Sequence, residues 1–285
     1  MPLLIDTDTG SDDAVALLLA VKDGDVRAVT TVAGNVPLET ATRNALITLD
    51  LAGHAAVPVH PGCDRPLTRP PSTAQHVHGL DGMGDTGLPD PARGPADGHA
   101  VDVLLSLPRR HPGELTLVTL GPLTNLAAAL LRDRELLTRF RHVYCMAGAA
   151  DLHGNVTPTA EFNVWADPEA ARVVLRAATP GQVTWIGWDV SRRYAVMTPT
   201  TSAGSKPSAL PWPPSPTAST GRSPTGPATS PACPATTCPT PSRWPWPCTP
   251  SWSSTASTRT WTWRSATRPA ASSSSTAGAR RPRPT

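Results

Sequence analysis

Short β-branched runs alternate with helical stretches along the first 190 residues, and this alternation limits the possible folds more than any other feature. The runs predicted as buried strands are Leu3–Ile5, Val26–Val32, Val57–His60, Leu115–Leu120, His142–Met146 and Val183–Trp188. The stretches predicted as helices are Asp12–Lys22, Thr40–Leu51, Asp97–Leu107, Asn125–Leu131 and Pro168–Arg176. This pattern is typical of an α/β fold with an open, mostly parallel sheet flanked by helices. Ligands of such sheets bind at the carboxyl ends of the strands.

The composition changes abruptly near residue 199. All 22 acidic residues lie at or before Asp189 with 14 of the 25 basic ones, whereas residues 190–285 carry 11 basic residues and no acidic one. From Thr198 onward, Leu210 is the one Leu, and Ile, Val and Phe are absent. Such a segment lacks the side chains needed to bury a core. We therefore expect an incomplete α/β domain over 1–199 and a disordered, Pro/Ser/Thr/Arg/Trp-rich aberrant tail over 200–285.

A shift of the coding frame near Thr200 would explain this tail. Codons for Pro234–Pro245, read from their third bases, can spell Gly-His-Asp-Leu-Pro-Asp-Ala-Leu-Ala-Val-Ala, and Thr200–Lys206 can yield Asp-Leu-Arg-Arg-Leu-Glu. The shift accounts for the charge asymmetry without an anionic partner. We therefore expect no nucleic-acid partner, although a basic tail that binds nucleic acid is the other interpretation of this charge.

Four carboxylates follow the first predicted strand. Asp6, Asp8, Asp12 and Asp13 fall within one short loop at the start of a helix. Like charges at this density repel each other, so a bound cation is the natural way to keep them ionised. Carboxylate oxygens favour a hard ion, calcium or magnesium. The alternative is that Asp12 and Asp13 only stabilise the helix dipole while Asp6 and Asp8 are solvated.

The segment Asp6–Ala14 resembles the aspartate-rich signature of the inosine–uridine-preferring nucleoside hydrolase family. Further segments of residues 1 to about 199 match that family in order: Thr31–Asn35, His76–Gly82, Leu120–Ala127, Met146–Ala149, Gly154–Pro158, Ala160–Asn163, Asp167–Ala171 and Gly187–Val190. The resemblance implies a purine/pyrimidine-salvage hydrolase that cleaves the N-glycosidic bond of ribonucleosides to give free base and ribose. It also implies a homodimer or homotetramer.

The resemblance further implies a role for each matching residue. Calcium would bind the attacking water and two ribose hydroxyls, with Asp8 as the general base. The implied metal ligands are Asp8, Asp13 and the backbone carbonyl of Leu120. The implied substrate-binding residues are Asp12, Asn35 and Asn163 for the hydroxyls at C2 and C3, Asn155 and Glu161 for the 5′-hydroxyl, His78 on the base side, and Met146 and Phe162 against the sugar or base.

Several of these residues have simpler explanations. Asn35 and Asn155 are also common turn formers, and His78 could be an exposed loop histidine. The triplet Glu161-Phe162-Asn163 is more specific, because no helix or turn chemistry calls for it.

One departure from the family pattern bears on activity. The family supplies its last metal-binding aspartate from a late His-Asp pair, but this chain has no Asp or His after Asp189. The shifted frame offers that pair at the codons read as Ala235–Thr237. Charge count tunes calcium affinity, so we expect little or no turnover from the chain as translated.

Two alternatives remain open. Asp6 and Asp8 imitate the Asp-x-Asp of haloacid-dehalogenase-type phosphatases, but Gly10 replaces the usual Thr or Val, and Lys22 and Lys206 are the only lysines. The second alternative is an inactive frameshifted product. No signal peptide or membrane-spanning run is evident, and Cys63 and Cys145 are isolated, so we expect a cytoplasmic protein without a membrane partner.

Overall fold

The computed structural model describes residues 1–196, which include one six-stranded parallel sheet. The expected tail over 200–285 lies outside the described residues. The strands are β1 Pro2–Thr7, β2 Asp25–Thr31, β3 Val59–Pro61, β4 Thr116–Thr119, β5 His142–Met146 and β6 Val183–Ile186. Their order across the sheet is β3-β2-β1-β4-β5-β6. The predicted fold class, an open parallel sheet with flanking helices, is confirmed.

Helices cover both faces of this sheet. They are α1 Ser11–Asp23, α2 Leu38–Leu51, α3 Gln75–His78, α4 Ala100–Arg110, α5 Thr124–Arg132, α6 Phe162–Ala166, α7 Pro168–Ala177 and α8 Trp188–Tyr194, with a 3-10 turn at Leu136–Arg139. Neighbouring residues of β1 serve opposite faces: Leu4 belongs to the core formed with α4, α5 and α7, and Ile5 to the core formed with α1 and α2. This alternation is what a strand buried on both sides requires.

The strand order reverses between β1 and β4. These two strands lie side by side, with Asp6 aligned to Thr119, yet the chain leaves them in opposite directions across the sheet. The loops that follow them therefore diverge and leave a crevice at the carboxyl edge, where α/β proteins bind their ligands. The aspartates follow β1 and Leu120 follows β4.

Most predicted boundaries differ from the structure by one to three residues, and two of these differences concern the starts of helices. Trp188 was assigned to a strand but begins α8, and the helix predicted over Asp97–Leu107 runs over Ala100–Arg110. The Nδ1 atom of His99 accepts the N–H of Val101 and caps α4 at its start, and Pro108 lies within its last turn. Helices α3, α6 and α8 were not predicted, because each is too short to show a helical period.

Candidate active site

A cavity of about 500 Å³ lies at the carboxyl edge of the sheet, a volume suited to a small ligand. Ten of the eleven residues proposed from the sequence line it: Asp12, Asp13, Asn35, His78, Leu120, Met146, Asn155, Glu161, Phe162 and Asn163. They come from loops and helices that are far apart in the chain. The eleventh, Asp8, is fully buried and is not part of the lining.

Asp8 is held with one oxygen bonded and the other free. Its Oδ2 accepts the backbone N–H of Asn35 at 2.6 Å, whereas Oδ1 is buried with no hydrogen-bond partner among residues 1–196. A Cβ atom at Gly121 would lie 2.7 Å from this Oδ1, so a glycine is needed there. Burial and the nearby charge of Asp13 raise the pKa of Asp8 well above its ordinary value. An unpaired buried carboxylate oxygen is costly unless a cation or donor meets it.

Asp13 and Asn35 connect this carboxylate to the cavity. Asp13 accepts the hydroxyl of Thr7 and the N–H of Gly10, the second contact closing the first turn of α1. The side-chain amide of Asn35 donates to Asp13 Oδ2 at 3.2 Å, so Asn35 bonds to both carboxylates. Burial, followed by the charge of Asp12, raises the pKa of Asp13 to about 6. Asn35 is thus more than a turn former.

The four carboxylates do not gather at one point, and the alternative in which Asp6 and Asp8 are solvated is wrong because both are fully buried. Asp6 is fully buried but accepts from Thr30 Oγ1 at 2.6 Å and Asn125 Nδ2 at 2.8 Å, contacts that hold it within the sheet. The Asp12 side chain is 78% exposed. Across residues 1–196, no group of three or more His, Cys, Asp or Glu side chains is placed to hold a metal ion. The candidate acidic ligands are therefore Asp8 and Asp13.

Asn163 brings the loop after β4 and the end of β5 together. Its amide donates to the carbonyl oxygens of Leu120 at 2.7 Å and Met146 at 3.1 Å. The Leu120 carbonyl, a proposed metal ligand, accepts through one lone pair and has a second available. This arrangement fixes three of the predicted site residues at one wall of the cavity.

The interpretation that no helix chemistry calls for Glu161 is also wrong. Glu161 caps α6: its carboxylate accepts the N–H groups of Asn163 at 2.8 Å and Val164 at 3.3 Å. It also accepts the N–H of Gly148 at 2.8 Å. Burial raises the pKa of Glu161 even though these three backbone donors oppose the shift. Asn155 has a comparable role, because its Oδ1 accepts the N–H of Phe162 at 2.8 Å.

His78 lies against the start of α1 and is largely buried. Its Nδ1 is 3.1 Å from Ser11 Oγ and 3.7 Å from Asp12 Oδ1. The ring also passes within 3.1 Å of the point where a Cβ of Gly10 would lie, so Gly10 makes room for it. The exposed-loop alternative for His78 is therefore wrong.

Seven further residues line the cavity and were not predicted: Ala16, Ala74, His76, Val77, Val156, Trp188 and Ser191. Trp188 and Ser191 lie on α8, and His76 and Val77 on α3. Because both helices were missed, their inward faces could not be derived from periodicity. Trp188 lies in Gly187–Val190, one of the segments that match the family, and this match is the feature of the sequence that points to Trp188.

A cavity lined by apolar, amide and carboxylate groups, at the reversal point of a parallel sheet, is typical of an α/β protein that binds a small ligand. The chain belongs to a specific family with this architecture: the model described as inosine-uridine preferring nucleoside hydrolase matches residues 3–220. That match extends past residue 199, where the composition changes.

Individual relatives agree with this assignment. The chain is 48% identical over 183 residues to an uncharacterized protein of Schizosaccharomyces pombe, covering 63% of this chain and 59% of that protein. It is 42% identical over 198 residues to the pyrimidine-specific ribonucleoside hydrolase RihA of Photobacterium profundum, covering 69% and 63%. The structure of a plant nucleoside hydrolase is similar with a TM-score of 0.62 at 38% identity, covering 67% and 61%. The chain thus spans less than two thirds of the length of these relatives.

No helix within residues 1–196 has both the length and the apolar character needed to cross a membrane.

Proposed function

We propose that this site is a ribonucleoside hydrolase site, which cleaves the N-glycosidic bond to release free base and ribose. The observation that carries the proposal is the meeting of ten motif residues, from separate segments of the chain, around one cavity, with the fully buried Asp8 behind its lining. Sugar hydroxyls need both donors and acceptors, and this wall supplies amides and carboxylates together.

The residues present fit a hard cation such as calcium. Asp8 Oδ1 is a buried carboxyl oxygen without a partner in the described residues. Burial and the charge of a neighbouring carboxylate disfavour the charged form, with Asp13 acting on Asp8 and Asp12 acting on Asp13. Asp8, Asp13 and the Leu120 carbonyl would hold the ion, leaving positions for other oxygens since calcium takes six to eight. A bound calcium ion would supply Lewis acidity and a fixed position for water and sugar hydroxyls.

The chain's own residues then divide the remaining work. Cleavage breaks the C1′–N bond, the departing base takes the bonding electrons, and positive charge develops on the ribosyl group. Asp8 accepts a proton from the water that adds to C1′. Asp12, Asn35 and Asn163 hold the hydroxyls at C2 and C3. Asn155 and Glu161 bind the 5′-hydroxyl. Met146 and Phe162 pack on the sugar or base, and His78 lies on the base side.

The chain as translated would work poorly. No Asp, Glu or His follows Asp189, so no later residue supplies a third carboxylate ligand or an acid for the departing base. We infer that the frame shifts near Thr200 and that the gene encodes the missing residues in another frame. Sequencing the coding DNA tests this, because an alternate frame without an open continuation would refute it.

Helix geometry argues against the phosphatase alternative. Such an enzyme needs a lysine beside its Asp-x-Asp pair, here Asp6 and Asp8, yet Lys22 lies in the last turn of α1, and the first turn of that helix begins three residues after Asp8. About ten residues of helix at 1.5 Å each separate Lys22 from that first turn, roughly 15 Å. Lys206 lies outside the described residues.

The test measures ribose released from uridine and inosine, with phosphate released from p-nitrophenyl phosphate measured in parallel. Calcium-dependent ribose release, however slow, that is lost in Asp8→Ala and kept in Asp151→Asn supports the proposal. Asp151 is a suitable control because it is exposed and lies outside the cavity lining. Phosphate release would support the phosphatase, and calorimetry showing no calcium binding would support the inactive product.

We further propose a cytoplasmic role in purine or pyrimidine salvage and assembly as a homodimer or homotetramer. Cys63 and Cys145 are free thiols, as is usual in a reducing compartment. Light scattering of the purified chain would test the assembly state.

A further inference from the structure

The motif Gly187–Val190 has no part in the chemistry proposed above, yet its aspartate makes an unusual set of contacts. Asp189 lies in the first turn of α8, and its carboxylate accepts three successive backbone N–H groups of the loop that follows β5. The contacts are to Ala150 at 3.1 Å from both oxygens, Asp151 at 2.9 Å and Leu152 at 3.0 Å. Consecutive N–H groups turned toward one point form an anion-binding concavity.

Two glycines make this contact possible. A Cβ at Gly187 would lie 2.5 Å from Asp189 Oδ2, so a larger residue there would displace the carboxylate. Gly148 has a φ of +80°, a conformation that favours glycine, and its carbonyl accepts the N–H of Trp188 at 2.8 Å. The start of α8 and the start of the loop are therefore joined by backbone and side-chain bonds together.

The two segments joined in this way form one wall of the cavity. The loop continues to Asn155 and Val156, and α8 contributes Trp188 and Ser191; all four line the cavity, whereas Asp189 does not. Partial burial works to raise the pKa of Asp189, but the three N–H groups together hold it below its ordinary value. The negative charge of Asp189 therefore accepts hydrogen bonds from the backbone of the loop, and its side chain lies outside the cavity lining.

We propose that Asp189 is a positioning residue that fixes the loop of residues 148–156 against α8 and so holds Asn155 at the wall of the cavity. Insofar as the occupant of the cavity is a ribonucleoside, the inference rests on the proposed function. Asp189 acts through the backbone and touches no reacting atom.

The experiment uses the full chain with Asp189→Ala and Asp189→Asn, and with Asp151→Asn as the matched control. Asp151→Asn removes one charge from the same loop but keeps the N–H that Asp189 accepts. Two quantities are measured: amide hydrogen exchange along the chain, and the affinity for 9-deazainosine in the presence of calcium. This C-nucleoside has a carbon–carbon bond to the base and is not hydrolysed.

Loss of charge-assisted bonds predicts that Asp189→Ala speeds exchange at residues 150–152 by about 10- to 100-fold, with the strands unchanged. We expect the affinity to fall by about tenfold. Asp189→Asn should recover part of both effects because its carbonyl oxygen still accepts, and Asp151→Asn should match the parent chain.

Unchanged exchange and affinity in Asp189→Ala would overturn the proposal, as would faster exchange spread across the whole sheet, since that marks a general structural role. A parent chain that binds no 9-deazainosine but shows the local exchange effect would support the positioning of the loop and overturn the claim that the cavity of the chain as translated holds a ribonucleoside. The two failures are thus distinguishable.

Discussion

Asp8 combines two properties that conflict in a protein without a ligand. It is fully buried, and its Oδ1 has no partner within residues 1–196, while the charge of Asp13 acts on it. Such an arrangement lowers stability and is retained where a site needs it. We therefore expect Asp8, on which the proposed chemistry depends most, to lower the stability of the folded chain.

Replacing Asp8 tests this directly. At pH 8 with a chelator, Asp8→Asn should raise the free energy of unfolding by about 1 kcal/mol, because it removes a buried charge and keeps an acceptor for the N–H of Asn35. The same variant should bind calcium on the order of 100-fold more weakly. Thermal melts with and without calcium measure both effects. The proposal is contradicted if the variant without calcium is less stable than the parent chain, or if calcium stabilises the variant as much as it stabilises the parent chain.

Asn125 shows why the position of Asp6 could not be derived from the sequence. Its amide donates to Asp6 Oδ1 and to the Thr31 carbonyl, and its Oδ1 accepts the N–H of Cys63 at 2.8 Å. Asp6 and Asn125 are 119 residues apart, and no local pattern connects them. The sequence indicated that the carboxylates cluster at the end of the first strand but could not separate the acid that faces the sheet from the acids near the cavity.

Because Asn125 is fully buried and two of its three bonds are buried, Asn125→Ala should be costly. We expect the free energy of unfolding to fall by about 3 kcal/mol or more, since several buried polar groups lose their partners at once. Denaturant unfolding measures the change, with Asn155→Ala as a less buried comparison. A loss below about 1 kcal/mol would mean that the network contributes little.

At the scale of elements, long periodic segments were predictable and short ones were not. The strand predicted over His142–Met146 has the same bounds in the structure, whereas α6, five residues long, was missed. Helix α6 begins because Glu161 caps it, and the Glu161 carboxylate reaches back to Gly148, a contact between segments that only the fold brings together. From the sequence alone, Glu161 was predicted to bind substrate and not to cap a helix.

Helix α7 is tied to the loop after β3 by an exposed ion pair whose pH dependence can be measured. Arg69 bonds both oxygens of Glu169, at 2.8 and 2.9 Å. The hydrogen bond from Arg69 lowers the pKa of Glu169 from 4.5 to about 2. Since the folded pKa lies below the unfolded one, this pair stabilises the fold above pH 4.5 and the contribution is lost as the pH falls toward 2.

Glu169→Gln should therefore be slightly less stable than the parent chain at pH 7, and the difference should shrink as the pH falls below 4.5 and be small at about pH 2. Added salt should also reduce it, because the pair is exposed. Urea unfolding at a series of pH values measures the difference. If the gap between the two chains widens as the pH falls, the pairing of Arg69 with Glu169 is not its cause.

For the whole molecule, the sequence predicted the parallel sheet and ten of the seventeen residues that line the cavity. The motif residues follow strands, and the carboxyl ends of parallel strands meet at one edge. The sequence did not predict the wall made by α3 and α8, because Val77 and Trp188 reach the cavity through the packing of short helices.

Our central claim is that residues 1–196 form a ribonucleoside hydrolase site and that the chain lacks the later carboxylate that would complete its metal ligands. The most direct measurement is calcium-dependent ribose release from uridine and inosine by two chains: the chain as translated, and one whose frame is restored after Thr200. The restored chain should release ribose, and a chelator or Asp8→Ala should abolish the release. The chain as translated should be slower by on the order of 100-fold or more. A restored chain that releases no ribose, or releases it without calcium and without Asp8, would contradict the account.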